Sequence, residues 1–531
     1  MNSMKSNLKL VLLVSVAAFF TSCKESIPTN LAAESLIPKP VSVTATGKSF
    51  ELTSETQIVV DDALKSVGDS LAWATGFMLK SVTEALPESG IYLTIDSTET
   101  DLGTEGYLLT IEPEQVIIKA LKPAGLFYGL QTFLQLASRP QVENKILIPT
   151  GTIRDYPTYV WRGSMLDVSR HFFPVADVKR YIDLISHYKM NVLHLHLTDD
   201  QGWRIEIKSW PNLAVHGGTT QVGGGKGGFY TQEDYKEIVA HAAKRFVTIV
   251  PEIDMPSHIN SALAAYGTLN NPETKFPKDG SYAGPAETRG ITDGNSKPTN
   301  LYTGIEVGWS TLSLAKPTTL QFVNDVIREL AAITPGPYLH IGGDEAHVTK
   351  KEEYIKFINQ FSEIVKANNK KMIGWEEIAQ ADIDNNSIAQ HWASEEHAAA
   401  AAAKGAKIIM SPSKKVYLDM QYDSTTRIGL HWAAYIEVDD SYNWDPATRV
   451  KGITRENILG VEAPLWSETV ENITDIEFMA FPRLIGVAEI GWTPSESRNW
   501  DEYKVRLGKH APHLEKLGID FYRSPKVDWS N

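Results

Sequence analysis

From Trp161 onward the chain repeats one unit: a short apolar run, one or two polar residues at its end, then a segment of helical spacing. The apolar runs are residues 163–167, 192–197, 247–251, 338–341, 371–374, 387–391, 407–410 and 459–464, and runs of this length and texture read as strands. Several helices between them are explicit. Over 175–188, Val178, Tyr181, Ile182, Ile185 and Tyr188 share one face. Thr231 with Asp234 forms a capping pair before the third strand, and Gly405 closes an Ala-rich helix before the seventh. Eight strand–helix units predict an α/β fold, a (β/α)8 TIM barrel, whose chemistry gathers at the carboxyl ends of its strands.

At 531 residues the chain exceeds one domain of the usual size, roughly 150 residues. Ahead of the barrel, β-like runs at 57–60, 91–95, 107–111 and 115–120 are joined by helical spacing at 63–79 and 124–136. Residues 36–150 therefore read as a small α+β domain, and 151–531 as the barrel with a C-terminal helix. The small domain has no dense set of polar aromatic or acidic residues, so it reads as support. Hydrophobic residues at 42% and charged residues at 22% supply a large core and exclude disorder. Lys+Arg 51 against Asp+Glu 65 leaves a net charge of −14, which argues against nucleic acid and favours an uncharged or cationic ligand.

The one cysteine, Cys23, excludes an internal disulfide framework and any cysteine-built metal site. Lys5 and Lys9 precede an apolar run over 10–20, and Thr21 and Ser22 lead directly into Cys23. That is a signal-peptide pattern over 1–22, too short for a membrane span. It resembles a bacterial lipoprotein signal, in which the cysteine is lipidated and begins the mature chain, with 23–35 as a tether. Plain secretion is the alternative. The lipoprotein reading puts the protein in the periplasm or at the cell surface, as an outer-membrane lipoprotein of a Gram-negative bacterium. No other apolar run approaches the roughly 20 residues needed to span a bilayer.

The strand ends carry Asp167 and Arg170, then Asp199 and Asp200, then Glu252, Asp254 and His258, then Asp344 and Glu345. The later ends carry Trp375, Trp392, Tyr417 with Asp419, Trp432, and Trp466 with Glu468. Carboxylates and tryptophans dominate. A large ring at a barrel mouth costs burial unless a ligand covers it. Flat rings suit the apolar faces of pyranose sugars, and acidic and Arg side chains suit their hydroxyls. The sharpest element is Leu339-His340-Ile341-Gly342-Gly343-Asp344-Glu345. Its glycines allow a turn and close approach. Adjacent carboxylates diverge, so one can protonate a leaving oxygen while the other steers a neighbouring group.

Four runs together resemble glycoside hydrolase family 20, the β-N-acetylhexosaminidases: Asp167 to Phe172, His194 to Arg204, Pro251 to His258 and His340 to Glu345. The resemblance runs from about Ile37 to the C-terminus, in the family's order. It implies a barrel preceded by a small α+β domain, and an exo-acting retaining enzyme that removes terminal GlcNAc or GalNAc. It implies substrate assistance, in which the sugar's own acetamido oxygen attacks the anomeric carbon. Glu345 would then be the general acid and base, Asp344 would hold the acetamido N–H, and Tyr417 would bond the attacking carbonyl. Trp375, Trp392 and Trp466 would box the acetamido group. Arg170, Glu468 and Asp200 would serve the ring hydroxyls, with Asp419 and Trp432 lining the site. His258 with Asp254 would form a histidine–carboxylate pair that tunes the acid. The role of Glu345 requires a raised pKa, from burial or from the charge of Asp344, which itself must stay ionised. No cofactor and no metal are implied, and the ligands would be amino-sugar glycans.

Other readings remain at this stage. His194 and His196 share one strand face and could ligate a metal, as in amidohydrolase barrels. A sugar-binding barrel without catalysis, and a glycosidase using Asp344 as covalent nucleophile, are further alternatives. Gly223 to Gly228 lacks the strand and the Ser or Thr of a phosphate loop and reads as a mobile loop at the mouth. The long segment 267–310, rich in Gly, Pro, Asn and Thr, could shape the space beyond the terminal sugar.

Overall fold

The computed structural model describes residues 29–60, 80–82, 90–270 and 298–529. The signal pattern with Cys23, the helical spacing at 63–79 and residues 271–297 of the long segment lie outside them. Among the described residues no helix is long and apolar enough to cross a membrane.

The first sheet contains β1 (Ser42–Leu52), β2 (Gln57–Val59), β3 (Lys80–Val82), β4 (Gly90–Ile95), β5 (Tyr107–Ile111), β6 (Gln115–Ala120) and β7 (Ile146–Asp155), in the order β1-β7-β5-β6-β4-β2-β3. Alternation builds it: Val116, Ile118 and Ala120 of β6 turn inward under a helix, Pro123–Leu136, which opens on proline. Leu126, Phe127, Leu130 and Phe133 of that helix complete the core. β1 and β7 go beyond the sequence reading. β1 buries only Phe50 and Leu52, so its alternation is faint. β7 carries the small domain to Asp155, past the expected boundary at 150. The expected tether also packs, since Leu31 of a short 3-10 turn is buried with Leu36 in this core.

The second sheet is a closed parallel barrel: β8 (Trp161–Asp167), β9 (Val192–His196), β10 (Thr248–Glu252), β11 (Tyr338–His340), β12 (Lys371–Trp375), β13 (Ile388–His391), β14 (Lys407–Met410) and β15 (Ile458–Leu465), with β15 pairing to β8. All eight lie on the expected runs. The helix Val175–His187 buries Val178, Tyr181, Ile182 and Ile185, and Thr231 and Asp234 form a full capping box. Gly405, at φ 89°, follows the helix Glu395–Ala403.

Period two along each strand sorts the barrel interior. Leu193 and Leu195 of β9 join the core beneath the helices, while Val192 joins the plug at the amino-terminal end with Trp161, Val250, Ile373, Ile388 and Ile409. Above that plug lies a polar layer. His194 Nδ1 is 2.8 Å from Glu462 Oε1, which also accepts Gln390 Nε2 at 2.9 Å. Above it, Met165, Trp375, Tyr417 and Trp466 pack as an aromatic layer at the mouth.

Asp155 fixes the small domain to the opposite end. Buried at the end of β7, it accepts from Tyr107 Oη at 2.6 Å, Lys189 Nζ at 3.0 Å and Trp492 Nε1 at 2.9 Å. Arg162, at the start of β8, pairs with Glu105 at 2.7 Å. The strand ends that carry the site are left open.

Candidate active site

A cavity opens at the carboxyl ends of the strands. Arg170, His258, Asp344, Glu345, Trp392, Tyr417, Trp432, Trp466 and Glu468 all line it, with Ile305, Val307 and Leu430. The loop after β11 delivers the acidic pair. Gly342 and Gly343 take φ of 67° and 95°, a region that glycine enters freely, and a Cβ on Gly342 would stand 1.8 Å from Asp254 Oδ1. Glu345 and His258 also hold positive φ, at 45° and 51°. Such backbone clusters where the surrounding structure over-determines it, commonly at functional sites.

The acid–base end forms a chain of buried groups. His258 Nε2 lies 3.3 Å from Glu345 Oε2 and 3.7 Å from Asp344 Oδ2. Its Nδ1 faces Asp199 Oδ1 at 3.4 Å, and the other Asp199 oxygen meets Arg170 at 2.8 Å. Burial opposes the charge on His258, but Asp199 and Asp344 hold its pKa well above the ordinary histidine value. The partner of His258 is thus Asp199, which the sequence reading left without a role, rather than Asp254. Asp254 Oδ1 accepts the Gly343 N–H at 3.0 Å. Its oxygens crowd Asp344, and burial together with that charge pushes it well above the carboxylate range. Like charges that close disfavour two anions, which raises both carboxyls.

Two further expectations are corrected. Burial raises Glu345, but the hydrogen bond and charge of His258 outweigh it and set Glu345 below its ordinary value. Asp344 moves the other way, pushed up to about 6 by burial and neighbouring negative charge. The site therefore carries its cation against Glu345. Asp200 does not reach the cavity: its Oδ1 accepts Ser310 Oγ at 2.5 Å and the Asn260 N–H at 2.9 Å. It anchors the 298–310 segment, whose Ile305 and Val307 reach the rim.

The aromatic walls stand together. Trp466 lies 5.8 Å from Trp375 and 6.2 Å from Tyr417, with the Arg170 guanidinium 4.7 Å from its ring. Tyr417 and Trp392 each approach Trp432, at 6.0 and 6.2 Å. Trp432 is 56% exposed, a large ring open to solvent at the rim. Trp375 is fully buried, behind Trp466. Glu377, also missed by sequence reasoning, holds the Trp392 indole N–H at 3.2 Å, and the carboxylate run after Trp375 was its only signal. Burial and the charge of Asp344 push Tyr417 well above its ordinary value, so its hydroxyl stays a donor.

Several polar atoms of the lining are buried without a hydrogen-bond partner among the described residues: Arg170 Nε, Asp344 Oδ1 and Glu468 Oε2; Asp419, expected to line the site, is buried outside the lining, with both oxygens likewise unpartnered. Unpartnered buried polar groups are rare, and a cluster of them marks where a polar ligand completes the bonding. His194, Glu252 and His340 have the spacing of a metal site, as do Asp199, Asp200 and His258. In the first, the donor atoms face one another's charges: both His194 nitrogens face carboxylates, at 2.8 and 2.9 Å, and His340 Nδ1 lies 3.0 Å from Glu252.

Comparison with known proteins agrees with this geometry. The profile described as "Glycosyl hydrolase family 20, catalytic domain" matches residues 159–356 and 348–495, and "Glycosyl hydrolase family 20, domain 2" matches 33–156. A β-N-acetylhexosaminidase of Cellulomonas fimi is 40% identical, over 93% of this chain and 97% of its own length. The solved β-N-acetylhexosaminidase of Streptomyces coelicolor A3(2) is 46% identical over 95% of this chain and 100% of that one, with a TM-score of 0.85. That of Streptomyces plicatus, in complex with Thio-NAglucal, is 46% identical over 95% and 99%, with a TM-score of 0.87. The chain belongs to glycosyl hydrolase family 20 and is a glycoside hydrolase of the β-hexosaminidase type.

Proposed function

We propose that the protein is an exo-acting, retaining β-N-acetylhexosaminidase that releases terminal GlcNAc or GalNAc by substrate-assisted catalysis. Family 20 is a recognised exception to the two-carboxylate scheme of glycosidases, its members using the substrate's acetamido group. The observation that carries the reading here is the set of unpartnered polar atoms on Arg170, Asp344 and Glu468, all lining the cavity beside the packed indoles. Hydroxyls would complete the first and an apolar face or methyl group would fill the second. The S. plicatus enzyme has been solved with GlcNAc as product, which supports the same ligand class.

In the first step the acetamido carbonyl oxygen bonds to C1 while the C1–O bond to the aglycone breaks. The departing oxygen keeps the electron pair and takes a proton from Glu345. A bound sugar covers the quarter of the Glu345 side chain that is exposed, and losing water raises a carboxyl toward the protonated form. Asp344 accepts the acetamido N–H and faces the positive charge of the oxazolinium ring. Tyr417 donates to the attacking carbonyl oxygen, fixing its approach, a proximity effect. In the second step Glu345 takes a proton from water, the hydroxyl adds to C1, and the acetamide is restored. Two inversions leave the β configuration. Proton NMR of a fresh digest tests this: the β anomer of free GlcNAc is expected first, and an initial α product contradicts it. A glucoside with a plain 2-hydroxyl should be nearly inert.

The leader supports a second proposal, on location. Lys5 and Lys9, the apolar run and Cys23 compose a lipidation signal, and we infer an exported, lipid-anchored enzyme in the periplasm or on the outer surface. Cys23→Ser should abolish labelling by a tagged fatty acid and release the enzyme from membranes. Unlabelled wild-type protein contradicts the anchor.

A further inference from the structure

The histidines of β9 take no part in the steps above, yet they occupy the centre of the lumen. His194 and His196 lie 2.9 and 2.6 Å from the same atom, Oε2 of Glu252. The other oxygen of that carboxylate, Oε1, accepts the indole N–H of Trp375 at 3.0 Å. Beyond the hub, His196 Nε2 meets Asp199 Oδ2 at 2.9 Å, and Asp199 is the residue that faces His258 and Arg170. Glu252 is fully buried. Burial alone would raise its carboxyl, but the surrounding histidines hold it well below the usual range, so it is an anion.

An ion pair inside a barrel can serve packing alone, because breaking it leaves an uncompensated charge. Two features point further. His340 Nδ1 lies 3.0 Å from Oε1, so histidines face both oxygens and charge balance requires nothing of an indole, yet Oε1 also accepts one. The histidines also bear on the aromatic walls: the His196 ring meets Trp466 edge-on at 4.9 Å, and His340, stacked on His194 at 4.4 Å, meets Trp375 at 5.2 Å.

We propose that Glu252 is a positioning residue for the reaction: its carboxylate, held by His194, His196 and His340, fixes the Trp375 indole, which backs Trp466 at the wall of the pocket read above as the acetamido site. This rests on the acetamido reading of the pocket given above. Glu252 touches no substrate, so its loss acts by misplacement, and a displacement of about 1 Å costs on the order of 10²-fold in rate.

The test is a double-mutant cycle on kcat/KM for a 4-nitrophenyl GlcNAc glycoside. Glu252→Gln keeps the volume and removes the charge, and Trp375→Phe keeps a ring and removes the N–H. Each single variant should lose on the order of 10²-fold, and the double should be no worse than the poorer single, because contacting residues that act as one couple rather than add. Multiplying losses, or a Glu252→Gln enzyme within about threefold of wild type, would overturn the proposal, since a merely structural role moves the melting temperature without this coupling. If Glu252→Gln does not fold, Glu252→Asp is taken through the same cycle: it keeps the charge for the histidines and withdraws the oxygens by one methylene. A wild-type enzyme that cleaves the plain glucoside as fast as the GlcNAc glycoside refutes the acetamido reading itself, and this proposal with it. Additive losses in an enzyme that does demand the acetamido group refute the role of Glu252 alone.

Discussion

Replacing Asp344 by Asn tests how the pocket handles charge. The carboxyl is buried to 8% exposure, one oxygen has no partner among the described residues, and the other is 3.7 Å from His258. Raised to about 6, it is still ionised at neutral pH. In the proposed first step a positive charge develops on the acetamido group that Asp344 holds. Opposite charges about 4 Å apart at an effective permittivity of about 20 attract by about 4 kcal/mol. Asn keeps the shape and removes that attraction, so kcat should fall on the order of 10³-fold. The assay is initial-rate hydrolysis of a 4-nitrophenyl GlcNAc glycoside across a series of aglycones. The loss should be the same for good and poor leaving groups, because Asp344 acts on the acetamido side of the bond. A variant within about tenfold of wild type, or a loss that grows as the leaving group worsens, would refute the electrostatic role.

Four other outcomes are expected. Glu345→Gln should depress turnover most for unactivated aglycones, because only they need a proton, and equal losses for both kinds would contradict its role as acid. With a dinitrophenyl glycoside, which needs no acid, kcat/KM should fall as pH drops through about 6, since protonating Asp344 removes its charge; a limb below pH 5 would contradict that. Gly342→Ala would place a Cβ 1.8 Å from Asp254 Oδ1 at a φ of 67°, so the acidic loop must move and kcat/KM should fall on the order of 10²-fold; an unimpaired variant would show that the loop geometry is dispensable. The fourth concerns His187, His510 and His513, buried where the small domain meets the last helices, with His187 and His513 Nε2 atoms 2.5 Å apart. Burial lowers His187 to about 3 and His510 to about 4. Groups held neutral this way contribute stability that is complete above the unfolded value near 6.5 and is lost as pH falls through the folded ones. Denaturant midpoints should therefore decline from about pH 6.5 downward, and less so in His513→Asn; a midpoint flat to pH 4 would contradict it.

The barrel was legible because its strands are short apolar runs ended by polar residues, and the site was legible because those ends carry the chemistry. The lumen was harder. The paired histidines of Val-Leu-His-Leu-His could by spacing ligate a metal, and only the facing Glu252 and Glu462 show that they are engaged with carboxylates. Asp199 and Asp200 were indistinguishable by type, and the turn after β9 decided which one faces His258 and Arg170 and which one bonds Ser310. The direction of the Glu345 shift also needed coordinates, because a cation 3.3 Å away outweighs the burial that sequence reasoning relied on. In the small domain, β1 escaped notice because nine of its eleven residues face outward or only partly inward.

The most direct measurement is the rate of cleavage of glycosides that share one aglycone and differ in the 2-acyl group, from acetyl through difluoroacetyl to trifluoroacetyl. Fluorine draws electron density from the carbonyl oxygen, so if that oxygen forms the bond to C1, kcat/KM should fall steeply and steadily along the series. A rate indifferent to fluorination, or a sugar ester trapped on any side chain, would contradict it.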